Sequence, residues 1–280
     1  MAGLFGFFDY TKPGKGVEKE EFKPNLSTFF RVLSTRFWKL LQLNLIYIIF
    51  SLPLIAVIFA FVPIGHGEVD IIALFKVCIF GLLYLSVVGL APVTTGFTYV
   101  LRNFSGNRHS WVFSDFFEHI KKNFKQALLL LVIDVVISLI VPFIYSFYTN
   151  ITNMGAEVSA FYKNISFMAR TFVVMFSFIY FIMHFYIYQI MVTFDMKLKQ
   201  ILKNSLIFAL SHLMRNIGVF IIIFAIAVLS FGYNTIIGVL LSILITPSLI
   251  GLIINFTTQP VVRKHMMIQT ADDNKETEQS

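Results

Sequence analysis

Six long apolar stretches constrain this chain more than any other feature of its sequence. A helix that crosses the roughly 30 Å hydrocarbon core of a bilayer needs about 20 apolar residues, because each residue rises about 1.5 Å. Six stretches reach or approach this length, and we predict that they are membrane spans near 40–62, 71–93, 126–148, 171–193, 216–232 and 236–256. The predicted fold class is therefore an all-α polytopic membrane protein.

The amino-acid composition excludes a soluble enzyme. Apolar side chains make up 57% of the 280 residues and charged side chains only 13%, and the mean hydropathy is +0.79. A soluble surface alone usually carries about 25–35% charged residues. Cys78 is the only cysteine, no histidine pair has a metal-binding spacing, and no phosphate-binding loop or hydrolase motif occurs. We therefore expect no enzymatic activity, no metal site and no cofactor.

The basic residues predict how the chain is oriented. Of the 22 Lys and Arg residues, nineteen lie in the two termini and in the loops that follow the second and fourth predicted spans. Lys163 and Arg170 lie on the opposite side, and Lys76 lies inside the second span. The positive-inside rule then predicts that the protein lies in the cell membrane with both termini in the cytoplasm. The net charge of +7 is thus expected to meet an anionic inner leaflet, and we expect no nucleic-acid partner.

Three cationic amphipathic stretches precede the odd-numbered spans, at Leu26 to Lys39, Trp111 to Lys125 and Phe194 to Leu213. Residues 119–124 also resemble residues 212–217, at an offset of 93. We predict three units, each a cytoplasmic amphipathic helix followed by a transmembrane hairpin. These helices either anchor the spans or dock a partner, and the basic side chains that would contact headgroups or that partner are Arg36, Lys39, Lys121, Lys122, Lys125, Lys199, Lys203 and Arg215.

The predicted domain organisation has one membrane domain with two flanking segments. Residues 1–25 are expected to form a cytoplasmic segment, and residues 26–256 the six-helix transmembrane domain. Residues 257–280 are polar at their end, so we expect a disordered cytoplasmic tail there.

Ionisable side chains inside a span are costly, so each one is a functional candidate. Asp134 and His184 lie in consecutive spans, at a shared depth of about 10–12 Å from the cytoplasmic face when counted at about 1.5 Å per residue. We expect a hydrogen bond between them if both face inward. Lys76 lies near the outer end of its span and can extend outward to the interface, so it is the weaker candidate. The pair is either a structural contact between helices or a site that binds a proton or a substrate.

Two further features of the spans admit more than one interpretation. The fourth span contains eight aromatic residues, among them Tyr180, which could stack on sugar rings but could equally pack against helices or face lipid. Prolines in the spans each remove a backbone donor, and we expect kinks at Pro53, Pro92, Pro142 and Pro247.

Four segments together resemble the YesL family of bacterial integral membrane proteins, whose function is unknown. They are LFGFFDYTKPGKGV near the start, LNLIYIIFSLP at 43–53, PVTTGFTYVLRNF at 92–104 and DFFEHIKKNFKQALLL at 115–130. The sequence departs from the family pattern by inserting VPIGHGEVD and a longer second span. The resemblance implies a six-span protein of the cytoplasmic membrane with an accessory role in carbohydrate uptake, and it implies no catalytic residues.

Two functions remain open at this point. The first is an accessory or regulatory subunit of an ATP-driven carbohydrate importer, which would contact the permease subunits through its cytoplasmic helices. The second is a self-sufficient secondary transporter or channel in which Asp134 and His184 couple protons. The two differ in whether this pair lines a cavity that water or a solute can reach.

Overall fold

The computed structural model describes residues 26–60, 64–65, 68–153 and 159–278. The described chain is almost entirely helical, with one pair of two-residue antiparallel strands between α3 and α4. The elements in chain order are α1 (Leu26–Thr35), α2 (Phe37–Phe50), α3 (Leu52–Ala60), β1 (Ile64–Gly65), β2 (Glu68–Val69), α4 (Ile71–Val87), α5 (Ala91–Ser105), α6 (Val112–Asn153), α7 (Ala160–Met191), α8 (Leu198–Ser211), α9 (Leu213–Gly232), α10 (Thr235–Leu244) and α11 (Thr246–Glu278).

The helices form two kinds of candidate membrane span. The first kind, α6, α7 and α9, is a single helix that is long and apolar enough to cross a bilayer. The second kind is a pair of helices bent at a short break, by 63° between α2 and α3, 69° between α4 and α5, and 58° between α10 and α11. The described residues therefore contain three to six candidate spans, and the all-α class is confirmed. The arrangement as three hairpins stays a prediction.

The breaks in the bent pairs have a cause that is visible in the sequence. The second helix of each pair begins one residue before a proline: Pro53 in α3, Pro92 in α5 and Pro247 in α11. Proline fits the first turn of a helix, because an N–H group there has no partner within the helix. Further along a helix, the proline ring clashes with the carbonyl group of the preceding turn. Between α4 and α5 the turn also requires Gly89, whose φ is +62°. Pro142, by contrast, lies inside the continuous helix α6.

The structure corrects the second predicted amphipathic helix. The stretch from Trp111 to Lys125 is not a separate element, because α6 runs unbroken from Val112 to Asn153. Neither Gly nor Pro occurs between Val112 and Val141, so nothing in the sequence interrupts the helix. Its 42 residues span about 63 Å at about 1.5 Å per residue, twice the thickness of a bilayer core.

The structure also corrects the start of the predicted tail at residue 257. Helix α11 continues through this position to Glu278. Val261, Val262 and Met266 are buried, and all three pack in the same apolar cluster as residues of α7 and α9. The apolar residues beyond the span therefore hold the helix against the bundle.

Helix α5 lies inside the bundle, although its sequence is only weakly apolar. Nearly all of its side chains are buried, and it packs against α6, α7 and α11. Gly96 allows the closest approach to α6, since a Cβ added there would overlap with the carbonyl oxygen of Phe116. The predicted second span ended at the beginning of this helix, because its Thr, Arg and Asn residues resemble a loop more than a core.

We predict that Gly96→Ala destabilises the protein by about 1–3 kcal/mol, because the added methyl group meets backbone atoms that cannot rotate away. Gly218→Ala in α9 is the matched control, since no atom lies near the position of its Cβ. We expect the control to leave stability unchanged or to raise it through helix propensity. Thermal unfolding in detergent measures both, and equal melting temperatures for the two variants would contradict the close approach.

Candidate intramembrane polar site

The structure brings Asp134 and His184 together in the interior of the protein. The Nε2 atom of His184 lies 3.2 Å from Oδ1 of Asp134, and the two side chains are 0% and 1% exposed. The hydroxyl of Tyr180 donates a hydrogen bond of 2.5 Å to the same Oδ1 atom. We refer to Asp134, Tyr180 and His184 as the Asp134 cluster.

The hydrogen bonds of His184 define how protons are distributed in the cluster. Its Nδ1 atom lies 3.0 Å from the carbonyl oxygen of Tyr180, which can only accept, so Nδ1 carries a hydrogen. The Nε2 atom then carries a second hydrogen if Asp134 is ionised, and none if Asp134 is protonated. One exchangeable proton is therefore shared between Oδ1 of Asp134 and Nε2 of His184.

The cluster is positioned by the half of α7 that is enclosed by other helices. Ten consecutive residues from Ile182 to Met191 are buried, whereas most residues before Phe176 are exposed. Tyr180, His184 and Tyr188 follow one another at intervals of four, which places them on one face of the helix. Tyr188 extends this polar face by donating a 2.5 Å hydrogen bond to the carbonyl oxygen of Val88, at the end of α4.

Asp134 lines a cleft of about 330 Å³ between α4, α6 and α7. Its second carboxylate oxygen, Oδ2, is buried and has no hydrogen-bond partner in the structure. The cleft is also lined by Tyr84 and Ser138, whose hydroxyls lie 3.0 Å apart, and by Pro142. Because buried polar atoms are almost always paired in proteins, the free oxygen marks a place where a proton or a ligand can bind.

A second, smaller cavity is lined by His184. It measures about 20 Å³, which is room for a single water molecule. Polar side chains line part of it, including Ser86, whose buried hydroxyl has no partner, and Gln189. Gln189 continues the polar path, since Thr258 donates a 2.7 Å hydrogen bond to its Oε1 atom. His184 lines this cavity but not the cleft, whereas Asp134 lines the cleft but not this cavity.

The remaining sequence candidates lie apart from the cluster. Lys76 is exposed on α4, in keeping with a side chain that extends out of its span. Arg36 and Lys39 are half-buried, and the guanidinium of Arg36 lies over the ring of Phe104. The other predicted contact residues for headgroups or a partner are exposed: Lys121, Lys122, Lys125, Lys199, Lys203 and Arg215.

Hydrogen bonds gather the basic segments at one end of the bundle, which we call the basic end. Gln126 at the base of α6 donates a 2.8 Å bond to the carbonyl of Met196, just before α8. Arg102 donates to the carbonyl of Val192 and to the hydroxyl of Thr193, at 3.0 and 2.9 Å. These bonds join the segments that carry Lys121 to Lys125 and Lys199 to Lys203.

His212 adds little charge to the basic end. Burial lowers the pKa of His212, and the neighbouring His265 and Arg215 lower it further. His212 is therefore neutral near pH 7, since its pKa lies below the ordinary histidine value of about 6.5. Among the residues that the structure describes, no three His, Cys, Asp or Glu side chains lie close enough to hold a metal ion.

Sequence reasoning named Asp134 and His184 but did not assign Tyr180 to the site. Tyr180 was one of eight aromatics interpreted as packing or lipid-facing residues. Its position one helical turn before His184 was the available signal. Ser138 and Tyr84 gave no signal, because single hydroxyls are common in membrane helices.

A comparison with known families adds a family match but no activity. Residues 40–145 match the model of a protein family of unknown function, DUF624. The matched segment covers less than half of the chain and includes Asp134, while His184 lies beyond it, and the match supports membership of that family. No curated protein and no solved structure matches the chain.

We predict that Asp134 and Tyr180 are energetically coupled. In a double-mutant cycle of Asp134→Asn and Tyr180→Phe, the two losses in unfolding free energy should deviate from additivity by about 0.5–3 kcal/mol. Tyr162→Phe serves as the control, because this exposed tyrosine lies about 27 Å along α7 from Tyr180 at about 1.5 Å per residue. Unfolding free energies are measured by denaturant titration in detergent. If the losses caused by Asp134→Asn and Tyr180→Phe are additive, the short hydrogen bond between the two side chains is contradicted.

Proposed function

We propose that this chain is a non-enzymatic membrane protein that couples the binding of a proton to the movement of a solute, with the Asp134 cluster as its working centre. The observation that carries the proposal is the buried carboxyl group of Asp134 in a candidate span. Its Oδ1 atom is hydrogen-bonded to Tyr180 and His184, and its Oδ2 atom has no partner. Ionisable groups at such depth are expensive to bury. A structural contact usually pairs both oxygens.

The geometry around the cluster supports a coupling role in a further way. Asp134 lines the cleft between the helices, and His184 lines the small polar cavity inside the bundle. A proton that passes from Oδ1 of Asp134 to Nε2 of His184 therefore moves from a residue that lines the cleft to a residue that lines the small cavity. Rotation of either side chain would break the 3.2 Å contact and give the protein two states, as alternating access requires.

We expect Asp134→Asn to abolish solute uptake that depends on a pH gradient. Proteoliposomes with an imposed pH difference are incubated with a mixture of small metabolites extracted from cells, and their contents are identified by mass spectrometry. At least one solute should accumulate in vesicles with the unchanged protein, and a protonophore should prevent this.

Asp195→Asn is the matched control, since this exposed carboxyl group lies in the segment between α7 and α8. The control should retain the accumulation that Asp134→Asn loses. The proposal is wrong if no solute accumulates in a way that needs both the gradient and Asp134.

A second candidate is the accessory role at an ATP-driven carbohydrate importer, which follows from the resemblance to the YesL family. In this proposal the basic end faces the cytoplasm and an anionic inner leaflet, and it contacts permease subunits. The observation in its favour is an aromatic face on α1 and α2, where Phe30, Phe37 and Trp38 are 63%, 41% and 74% exposed. Such residues suit either a partner or a headgroup region.

Purification in mild detergent separates this candidate from the first. If the chain is an accessory subunit, permease subunits of a carbohydrate importer should co-purify, and Phe30→Ala with Trp38→Ala should reduce their recovery. Phe161→Ala is the control, because it removes an equally exposed aromatic side chain from α7. Recovery of an isolated protein that transports a solute in liposomes would contradict the accessory role.

A further inference from the structure

Asp134 lines the cleft and has one carboxylate oxygen without a hydrogen-bond partner. Oδ2 of Asp134 is buried and unpaired, while Oδ1 already accepts from Tyr180 and contacts His184. A buried carboxylate oxygen without a donor costs several times more than an ordinary unpaired group. A ligand in the cleft that presents an N–H or O–H group can pair with this atom once the Asp134 side chain turns Oδ2 toward the cleft.

A second acceptor lies one helical turn away. In a continuous helix the carbonyl of residue 138 accepts from the N–H of residue 142, but that residue is Pro142, which has no N–H. Ser138 and Pro142 both line the cleft. The carbonyl of Ser138 thus lacks its helical donor on the same side of α6 as Asp134, and a ligand with several N–H groups could serve both acceptors.

The walls of the cleft limit the charge and the shape of that ligand. Asp134 is the only formally charged side chain among the lining residues, which include no Lys or Arg. The rings of Tyr180 and Phe181 offer faces that attract cations. The remaining lining residues are the apolar Val88, Ile137, Val141 and Pro142 and the hydroxyl-bearing Tyr84, Ser138 and Ser177. This combination excludes anions and favours a cation that is attached to an apolar body.

We propose that the cleft binds a protonated primary amine with an apolar or aromatic body. The ammonium group donates a hydrogen bond to Oδ2 of Asp134. A volume of about 330 Å³ is at the lower end of the size range of small-molecule pockets, about 300–1,000 Å³. Ser138 and Pro142 are exposed at the rim, and Phe143 and Phe176 nearby are 73% and 48% exposed. In a membrane span such a rim faces lipid, so the amine enters from the bilayer.

Binding of the amine should release a proton from the cluster. Without ligand, Asp134 and His184 share one exchangeable proton. An ammonium group on Oδ2 favours the ionised carboxylate and disfavours the doubly protonated imidazole, because two cations would then face one anion. The shared proton leaves to solvent and neutral His184 remains, so its Nε2 atom has no hydrogen and must rotate away from the ionised Oδ1. Charge is conserved, because one ammonium enters and one proton departs. The site thereby becomes a cation–proton exchange site.

The test compares 2-phenylethylamine with 2-phenylethanol, which has nearly the same shape but no charge. Calorimetry on the protein in lipid nanodiscs at neutral pH should show binding of the amine, with binding of the alcohol about tenfold to a hundredfold weaker. Repeating the titration in two buffers of different ionisation enthalpy should give one proton released per amine bound. Equal binding of amine and alcohol, or no proton release, would overturn the proposal.

Three variants complete the experiment. Asp134→Asn should weaken amine binding by about tenfold or more, while Asp195→Asn should leave it unchanged. Pro142→Ala restores an N–H donor to the Ser138 carbonyl, so it should weaken amine binding several-fold while it stabilises α6. Because Pro142→Ala is not expected to unfold the protein, it keeps the test valid if Asp134→Asn folds poorly. Unchanged binding in both Asp134→Asn and Pro142→Ala would contradict the site.

This inference rests on the proposed proton coupling, but the two can fail separately. If the amine does not bind while Asp134-dependent uptake of another solute is observed, the ligand class is wrong and the proton coupling stands. If the amine binds through Asp134 but no solute accumulates under a pH gradient, the proposed transport is wrong and the amine site stands.

Discussion

The buried carboxyl group of Asp134 is the constraint on which the interior of this protein depends. A carboxyl group in a candidate membrane span must be protonated, hydrogen-bonded or paired, because bare charge is too costly there. Helix α7 meets this requirement by presenting Tyr180 and His184 to the same oxygen atom, one helical turn apart. The register of α6 against α7 is therefore determined by polar contacts as well as by packing.

The helix breaks give the bundle its second organising feature. Proline at the second position of α3, α5 and α11 starts a new helix at an angle of 58° to 69° to the one before it. In the middle pair this turn directs α5 into the bundle, where Gly96 lets it approach α6 closely. Helix α5 thus supports the segment of α6 that leads to Asp134.

Much of this architecture follows from the sequence, and the exceptions have physical reasons. The apolar stretches and the four span prolines are visible directly, and three of those prolines mark breaks. The sequence does not reveal the length of α6, because the cationic stretch before Gln126 resembles a separate amphipathic helix, nor the extension of α11, because its last residues are polar. The burial of α5 was missed because Thr94, Thr95 and Asn103 form local or inter-helix contacts that replace water. Tyr180 is hard to distinguish in the sequence, because its position one helical turn before His184 is the one signal among eight aromatic residues of the same span.

The central claim is that Asp134 gains and loses a proton within the folded protein. Infrared difference spectra of the reconstituted protein at acidic and alkaline pH measure this directly, through the C=O stretching band of a protonated carboxyl group. The account predicts a band that is present in the unchanged protein and in Asp195→Asn, absent in Asp134→Asn, and shifted in His184→Gln. Identical difference spectra for the unchanged protein and Asp134→Asn would contradict it.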